Sequence, residues 1–526
     1  MALVVLIGIG CGRIIATYEV FSETYDEGAH LAAGMQLLDR GEYTYDPQHP
    51  VLVRSAIALG PFLSGQRSQG VRNMWGEGRA IIHGDNADRT LFLARLGVLP
   101  FFILGSLMVW MWTRRLSGEG AALVATALFT STPLVLAHSA VATTDMGLTA
   151  TLIALALAAS VWLENPRAGA SVWLGMAGAA ALTAKFSSLA FVGTTVALLG
   201  VVRWRLRPPL TQESERPAPP DGGPTHLRRF LTVVAPVGFV CVWSLYRFQS
   251  GTWLGIPVPL TALAQGVREL VTHNELGHAS FLLGEAYADG DWRFFPVGIA
   301  VKAPLTLLVL GLAGAAVLGA RAVRERDWRL ALPLLLALAV LAVSIPARIN
   351  IGVRHVLPVF AVLAITGGVA AAYAWRRWPA RLVRGAFVAI CGAGLWSTVA
   401  VHPDYLAYFN EVAGSHPEHI LVDSDLDWGQ DLRRLADTLK GRGIEGVTTA
   451  YFGSALPALY GIPVRNKWKR DVPVHGWFVV SQTLKQRGDA ELINGTWRLH
   501  QSALAWLDAY EPEARVGRSL LLYRIP

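Results

Sequence analysis

Charged residues are scarce in this chain. Asp, Glu, Lys and Arg make up only 16% of its 526 residues, while 53% are hydrophobic. A soluble globular domain carries about 25% charged residues. The deficit excludes an ordinary soluble protein and indicates a polytopic membrane protein. The net charge of +8 does not indicate nucleic-acid binding, because the basic residues cluster in short loops between apolar runs, as topology signals do.

Cysteines are also rare, and nucleotide-binding motifs are absent from the sequence. The three cysteines, Cys11, Cys241 and Cys391, each lie inside an apolar run, so we expect neither a disulfide framework nor a zinc site. The segment His273–His278 lacks the histidine spacing of a zinc protease. The chain contains no Walker loop and no dinucleotide fingerprint, which argues against direct use of a nucleotide.

Long apolar runs, in contrast, are abundant. Most have the roughly 17 to 25 residues that a helix needs to cross a bilayer. They predict a mainly α-helical membrane protein with about 11 transmembrane helices. The predicted spans are Ala2–Tyr18, Leu91–Trp112, Ala121–Ala142, Met146–Leu163, Val172–Ala184, Phe186–Val202, Phe230–Tyr246, Phe295–Ala320, Leu330–Pro346, Val356–Ala374 and Ala386–Val401.

The loops between these spans predict the orientation of the chain. One set of alternate loops holds most of the basic residues, and the positive-inside rule places this set in the cytoplasm. It includes Arg203–Arg229, which is rich in Pro and Arg and is predicted to be a disordered cytoplasmic linker. Residues 19–90 then form the first external loop, with interfacial helices at Gly28–Arg40 and Val51–Leu63.

The composition changes after Val401, where the chain becomes polar and mixed. We therefore predict two domains: a transmembrane domain over residues 1–401 and a small α/β domain over residues 402–526, outside the membrane and on the external face. In the second domain the sequence pattern predicts three buried strands and two helices. The strands are Val447–Phe452, Trp477–Ser481 and Leu520–Tyr523, and the helices are Leu426–Lys440 and Trp497–Leu507.

Two acidic sites share the predicted external face. Asp26 and Glu27 follow the first apolar run, where carboxylates are costly unless they are wet, paired or functional. Such a carboxylate can act as a general base, although an acidic pair can also simply end a helix at the interface. Asp145 lies between two uncharged runs, as a site residue or as a helix N-cap. Together they predict a pocket for a hydroxyl, an amine or a metal ion.

Several cations lie near the same face: Lys185, Lys302 and the pair Arg354-His355. Each could be an anchor that snorkels to the interface. Together they would suit the phosphate of a lipid held at the membrane boundary, where an arginine can bind two oxygens.

These residues occur in motifs that resemble those of bacterial glycosyltransferases of the GT-C superfamily. The resemblance is to the phospholipid-carrier-dependent group, which includes glycosyltransferase family 39, the protein O-mannosyltransferases and the aminoarabinose transferases. It covers the membrane part of the chain. The motifs are Tyr25-Asp26-Glu27-Gly28-Ala29-His30, Gly41-Glu42-Tyr43, His49-Pro50, Thr144-Asp145-Met146, Lys185-Phe186, Arg354-His355-Val356-Leu357-Pro358, and in the tail Asp423–Asp431 and Tyr451–Ser454.

The resemblance implies a role for each candidate residue. Asp26 is the catalytic base with Glu27 beside it, and Asp145 is the second acidic residue of the acceptor or metal region. A divalent metal ion, if one is bound, would lie at these three carboxylates; no other cofactor is implied. The remaining residues are expected to contact the donor phosphate (Lys185, Lys302, Arg354 and His355) or to belong to the acceptor loop (His30 and His49).

The implied activity is the transfer of a hexosyl or pentosyl group from a polyprenyl phosphate to a hydroxyl of a protein, lipid or glycan. It would take place at the external face of the inner (cytoplasmic) membrane, with inversion. Two alternatives remain: a transporter or flippase of lipid-linked sugars, and a structural subunit whose Asp423–Asp431 segment binds a partner or a glycan. A transporter would be expected to carry charges or broken helices near the middle of the membrane, often in repeated halves. Here the central spans are nearly uncharged, no halves repeat, and the candidate residues collect on one face, which favours the transferase.

Overall fold

The structure, a computed structural model, describes residues 1–84, 86–206, 222–253, 256–378, 380–470 and 472–526. Residues 1–400 form a helical bundle with interfacial helices at one end. The helices before residue 207 are α1 Ala2–Ile15, α2 Glu27–Arg40, α3 Val51–Leu63, α4 Met74–Ile82, α5 Ala87–Leu96, α6 Leu99–Ser117, α7 Glu119–Ser131, α8 Pro133–Ala140, α9 Asp145–Glu164, α10 Ala168–Ala184 and α11 Ser187–Arg205.

The second part of the bundle continues in the same way. It contains two short antiparallel strand pairs, β1 Ser250–Trp253 with β2 Ile256–Pro259 and β3 Ser280–Leu282 with β4 Glu285–Tyr287. Its helices are α12 Gly222–Arg229, α13 Ala235–Leu245 (after a π-helical turn, Phe230–Val234), α14 Thr261–Leu276, α15 Phe294–Lys302, α16 Leu305–Glu325, α17 Trp328–Ser344, α18 Leu357–Arg377 and α19 Arg381–Ala400.

The described helices make this a multi-pass membrane protein. Six of them are long and apolar enough to cross a membrane, or up to seven if the bent pair α7 and α8 forms one span, and four more apolar helices are shorter. The span that includes α18 is 89% buried, so it forms the centre of the bundle. Each of the eleven predicted spans corresponds to a helix or to a pair of consecutive helices, and both segments predicted as helices in the first loop are helical, as α2 and α3.

Two of the predicted loops contain helices. The predicted disordered linker over residues 203–229 is helical at both ends, in the last turn of α11 and in α12, while residues 207–221 lie outside the described residues. In the first loop, α2 and α3 pack closely, because a Cβ at Gly34 would lie only 2.0 Å from the carbonyl oxygen of Arg54. This contact fixes α2, and with it the residues at its start.

The C-terminal region is an α/β domain. Its five-stranded sheet has the order β10-β11-β7-β5-β6, in which β5 is parallel to both of its neighbours. A separate hairpin joins β8 to β9. The elements are β5 Val447–Ala450, β6 Val464–Lys467, β7 Gly476–Ser481, β8 Asp489–Ile493, β9 Thr496–His500, β10 Ala514–Val516, β11 Leu520–Ile525, α20 Leu432–Gly441 and α21 Gln482–Arg487.

Both helix predictions in this domain need correction. The predicted helix Leu426–Lys440 begins only at Leu432, because Gly429 has a positive φ of 86°. The predicted helix Trp497–Leu507 is wrong over its first residues, since Trp497 lies in β9. There the turn residues Asn494 and Gly495 both have positive φ, which closes a tight hairpin; a 3₁₀ helix follows at Gln501–Ala509.

The C-terminal domain is joined to one end of the bundle, which we call the capped end. The ammonium group of Lys302 donates hydrogen bonds to the carbonyl oxygens of Leu406 at 2.7 Å and Asp425 at 2.6 Å. In addition, the backbone N–H of Tyr25 donates to the carbonyl oxygen of Trp428 at 3.0 Å. The two domains therefore share an interface that includes the residues around Asp26.

Candidate active site

Asp26 lies at the capped end, immediately before α2. Its carboxylate is 26% exposed and lies 3.1 Å from Nη1 of Arg354. Burial raises the pKa of Asp26, and the Arg354 guanidinium opposes part of that rise. The carboxylate borders a cavity of about 970 Å³ between the bundle and the C-terminal domain. The cavity is also lined by Tyr25, Trp75, Arg79, Arg354, Asp423, Trp428, Phe452, Trp468 and Arg487.

Arg354 is the centre of the site. It lies in a 3₁₀ turn, Val353–Val356, that leads into α18, and its side chain is only 6% exposed. Besides Asp26, its guanidinium contacts Asp145 at 3.4 Å and donates through Nε to the Ser424 hydroxyl at 3.1 Å. A cation with two carboxylates is held firmly in place.

Asp145 connects the two cations of the site. It begins α9, and its side chain is 1% exposed. One of its oxygens accepts a hydrogen bond from Nζ of Lys185 at 2.6 Å, while the other faces Arg354. Lys185 follows the end of α10 and keeps 14% of its side chain exposed. The result is an ionic array of alternating charge: Asp26, Arg354, Asp145 and Lys185.

Glu27, in contrast, is directed away from this array. Its two oxygens accept hydrogen bonds from Arg95 at 2.9 Å each, and from the backbone N–H groups of Thr24 at 2.8 Å and Ala142 at 2.7 Å. Burial opposes its ionisation, but Arg95 and these N–H groups lower the pKa of Glu27 below its usual value. Sequence reasoning missed Arg95, although a lone arginine near the start of an apolar run is itself a signal of a buried partner.

Asp26, Glu27 and Asp145, the carboxylates that would hold a divalent metal ion if one is bound, do not form a suitable donor set. The oxygens of Glu27 are occupied by Arg95 and backbone N–H groups, and the Arg354 guanidinium lies against both other carboxylates. Within the described ranges, no group of three or more His, Cys, Asp or Glu residues is arranged to hold a metal ion.

His30, which belongs to α2, lies close to His49. Their ring centroids are 5.3 Å apart, and Nδ1 of His30 accepts a hydrogen bond from Nε of Arg54 at 3.0 Å. Arg54 in turn pairs with Asp46. Burial and the Arg54 charge hold the pKa of both histidines well below the usual range, so both rings are neutral.

Two predicted phosphate contacts have different surroundings. Lys302 is completely buried and directs its ammonium group to the Leu406 and Asp425 carbonyls, which argues against a role in binding a phosphate. His355 follows Arg354 in the same turn and packs its ring 6.4 Å from that of Phe295; its ring is partly exposed.

The C-terminal domain supplies cavity residues that sequence reasoning did not assign to the site. Asp423 pairs with Arg487 at 3.1 Å, and the Arg487 guanidinium lies 5.0 Å from the ring centroid of Phe452. Burial raises the pKa of Asp423 to about 6, against the lowering effect of Arg487 and Arg354. The signal was present in the sequence as the Asp423–Asp431 motif, but no partner could be given to it.

An apolar groove of about 820 Å³ extends along α11. Leu182 and Ser188, which flank Lys185 in the sequence, lie at one end of it, and Arg203 lies at the other. The groove is formed by α9, α10, α11, α13 and α17. Its lining includes Leu152, Leu155, Ala156, Leu163, Leu174, Ala181, Val192, Val196, Leu199, Phe239, Val242, Leu332 and Leu336.

The overall fold, a mainly helical membrane bundle with a small C-terminal sheet domain, is shared with a solved membrane protein, which confirms the predicted fold class. The particular structures that it resembles are two of ArnT from Cupriavidus metallidurans. The apo structure has a TM-score of 0.52 and 16% identity, and the one bound to undecaprenyl phosphate has a TM-score of 0.51 and 14% identity. Each comparison covers 99% of this chain and 97% of ArnT. At this identity the likeness is one of fold. No family model and no curated protein sequence matches the chain.

Proposed function

We propose that the protein is an integral membrane glycosyltransferase that moves a sugar from a polyprenyl phosphate to an acceptor hydroxyl. The observation that carries this proposal is the placement of Asp26. Its carboxylate reaches the cavity while it contacts Arg354, and the ionic array connects it to Lys185. Lys185 lies in the sequence between Leu182 and Ser188, which line the apolar groove. The likeness to the fold of ArnT, which has been crystallised with undecaprenyl phosphate, supports the proposed donor class.

The donor would bind with its phosphate at Arg354 and Lys185. Both cations are already oriented by Asp145, so little side-chain entropy is lost when they bind an anion. His355, in the same turn as Arg354, is a further candidate donor to the phosphate. The isoprenoid chain would occupy the apolar groove beside Lys185, where burial of its CH₂ groups stabilises the complex by roughly 0.8 kcal/mol each.

Asp26 would act as the general base. It takes the proton of the acceptor hydroxyl while the hydroxyl oxygen attacks the anomeric carbon, and the bond from that carbon to the phosphate oxygen breaks. The phosphate leaves with the electron pair, and Arg354 and Lys185 stabilise the charge that develops on it. A single displacement of this kind inverts the anomeric centre. A base whose pKa is raised by burial accepts the proton more readily than an ordinary aspartate.

The capped end is proposed to be extracytoplasmic, because most basic loops lie at the opposite ends of the spans. The acceptor, a hydroxyl of a protein, lipid or glycan, would enter through the cavity between the bundle and the C-terminal domain. This orientation keeps the isoprenoid chain within the inner membrane while its sugar reaches the cavity.

The proposal is tested in proteoliposomes that contain the full chain and a panel of undecaprenyl phosphates, each carrying one radiolabelled sugar. We expect one donor to lose its labelled sugar to an acceptor fraction as free undecaprenyl phosphate appears. Asp289→Asn is the matched control for Asp26→Asn. Asp289 is 72% exposed and its ion pair with Arg348 is long, at 3.9 Å, so this variant should retain full activity. Movement of intact donor across the bilayer without bond cleavage would instead identify a transporter.

A further inference from the structure

The acidic motif Asp423–Asp431 belongs to the C-terminal domain, yet three of its residues contact the turn that carries Arg354. We infer that this motif positions Arg354, so that the C-terminal domain determines how tightly the membrane domain binds the donor phosphate. The inference rests on the proposed function, in which Arg354 contacts that phosphate. The positioning residues are Ser424, Asp425 and Trp428.

The first contact holds the backbone of the turn. Both carboxylate oxygens of Asp425 accept the N–H of Val353, at 3.1 and 3.2 Å. Val353 is the residue immediately before Arg354 and begins the 3₁₀ turn. A carboxylate on the first N–H group of a helical turn fixes where that turn begins, so Asp425 sets the position of the Arg354 backbone.

The second contact orients the guanidinium. The Ser424 hydroxyl donates its proton to the carbonyl oxygen of Ile351 at 2.5 Å, which leaves its lone pairs free to accept from Nε of Arg354 at 3.1 Å. Gly352 makes room for this arrangement, because a Cβ there would lie 2.0 Å from the Ser424 hydroxyl oxygen. With Nε bound, Nη1 is directed toward both Asp26 and Asp145.

The third contact is made by the face of the guanidinium. The Arg354 guanidinium carbon lies 4.3 Å from the ring centroid of Trp428, which is a cation–π contact. Trp428 is 1% exposed. Since the ring supports one face and Ser424 holds one edge, the planar group keeps a single orientation, which bidentate binding of a phosphate requires.

The motif is in turn anchored to its own domain. The N–H of Asp423 donates to the Thr483 hydroxyl at 3.0 Å, and the N–H of Thr483 donates to Asp427 at 2.9 Å. Thr483 lies in α21, directly after the central strand β7. The position of Arg354 is thus transmitted from the sheet of the C-terminal domain through the motif to the capped end of the bundle.

The experiment measures the binding of undecaprenyl phosphate, without a sugar, to the full chain in nanodiscs. Ser424→Ala should weaken this binding about tenfold, since the hydrogen bond to a charged group is lost. Thr438→Ala is the control: Thr438 also lies in the C-terminal domain, but its hydroxyl donates to the carbonyl oxygen of Arg434 within α20 at 2.7 Å. Its affinity should stay within about twofold of the wild type.

A double-mutant cycle separates positioning from a general structural effect. Lysine has a methylene group where arginine has Nε, so Ser424 has nothing to orient in an Arg354→Lys background. Ser424→Ala should therefore weaken binding in the wild-type background and add less than about twofold to the effect of Arg354→Lys. Two outcomes would overturn the inference. In one, Ser424→Ala weakens binding equally in both backgrounds. In the other, Ser424→Ala has no effect in the wild-type background although Arg354→Lys binds more weakly.

The same cycle distinguishes failure of the inference from failure of the proposed function. If Arg354→Gln binds undecaprenyl phosphate as tightly as the wild type, the proposed phosphate contact itself is wrong. If Ser424→Ala does not fold, Gly352→Ala provides a second route, because its Cβ displaces the Ser424 hydroxyl without removing it. Binding by Gly352→Ala at wild-type strength would also contradict the positioning role.

Discussion

Asp26 and Glu27 are adjacent in the sequence, but the structure places them in opposite surroundings. Asp26 is 26% exposed, borders the large cavity and contacts a single cation. Glu27 is 0% exposed and accepts hydrogen bonds from Arg95 and from two backbone N–H groups. Burial raises the pKa of Asp26, whereas Arg95 and these N–H groups outweigh burial and lower the pKa of Glu27.

The difference shows which property makes a carboxylate available for proton transfer. A carboxylate whose oxygens are occupied by buried donors cannot accept a substrate proton without loss of those bonds. A carboxylate with a free oxygen at a cavity and a raised pKa can accept one. The comparison therefore supports the proposed role of Asp26 as the base and indicates a structural role for Glu27, and the two roles can be tested separately.

The largest expected effect is that of Asp26→Asn on sugar transfer. Loss of the general base should lower the transfer rate by about 10³-fold. Affinity for undecaprenyl phosphate should not fall, because the substitution removes a negative charge near the phosphate site. The rate is measured as the release of undecaprenyl phosphate in proteoliposomes. A rate within tenfold of the wild type would show that Asp26 is not the base.

The second prediction concerns Glu27→Gln and the stability of the fold. The substitution leaves the Arg95 charge buried without its carboxylate, which should destabilise the protein by about 3–5 kcal/mol. Thermal unfolding in detergent should show a lower midpoint for Glu27→Gln than for Asp26→Asn. An unchanged midpoint for Glu27→Gln would contradict the structural role of this ion pair.

The third prediction extends the same distinction to two lysines. Lys185 is partly exposed beside the groove, whereas Lys302 is fully buried between the domains. Lys185→Met should weaken undecaprenyl phosphate binding about tenfold by the loss of a charge-assisted contact. Lys302→Met should weaken that binding much less than Lys185→Met does, because Lys302 acts on Arg354 only through the Asp425 carbonyl. It should destabilise the protein by about 1–3 kcal/mol, because two buried carbonyl groups lose their donor. Weaker binding of undecaprenyl phosphate by Lys302→Met than by Lys185→Met would show that Lys302 contacts the phosphate.

The sequence was sufficient to predict most of the bundle. Apolar runs of bilayer length correspond to helices, and the polar first loop contains α2 and α3 at the predicted places. The helix ends were also predictable where a residue needs a particular backbone conformation, as at Gly41, which ends α2 with a φ of 70°. These features depend on local composition and periodicity, which a single sequence shows directly.

The partners of charged residues were much less predictable. The pairing of Glu27 with Arg95 and the contacts of Lys302 depend on how distant segments pack, and hydrophobic periodicity does not carry that information. The same reason explains the acidic motif. The sequence pattern predicted a helix from Leu426 onward, but Trp428 and the preceding Ser424 instead contact Arg354, which lies in the other domain.

The smallest expected effect is on the pH dependence of transfer. Only the ionised form of Asp26 can accept a proton, so the rate should fall as the pH decreases through its pKa. Because burial raises that pKa, the acid limb should lie above the ordinary value of 3.8. The neutral rings of His30 and His49, whose pKa values are lowered, should add no limb near 6.5. The measurement is the transfer rate between about pH 4 and 8 at saturating donor.

Arg354 provides the control for this assignment. Its guanidinium opposes the rise in the pKa of Asp26, so Arg354→Gln should move the acid limb of the residual activity to higher pH. A structural defect would lower the rate at every pH without moving the limb. If the limb stays in place in Arg354→Gln, or persists in the residual activity of Asp26→Asn, then a different group titrates, and the contrast between Asp26 and Glu27 does not explain catalysis.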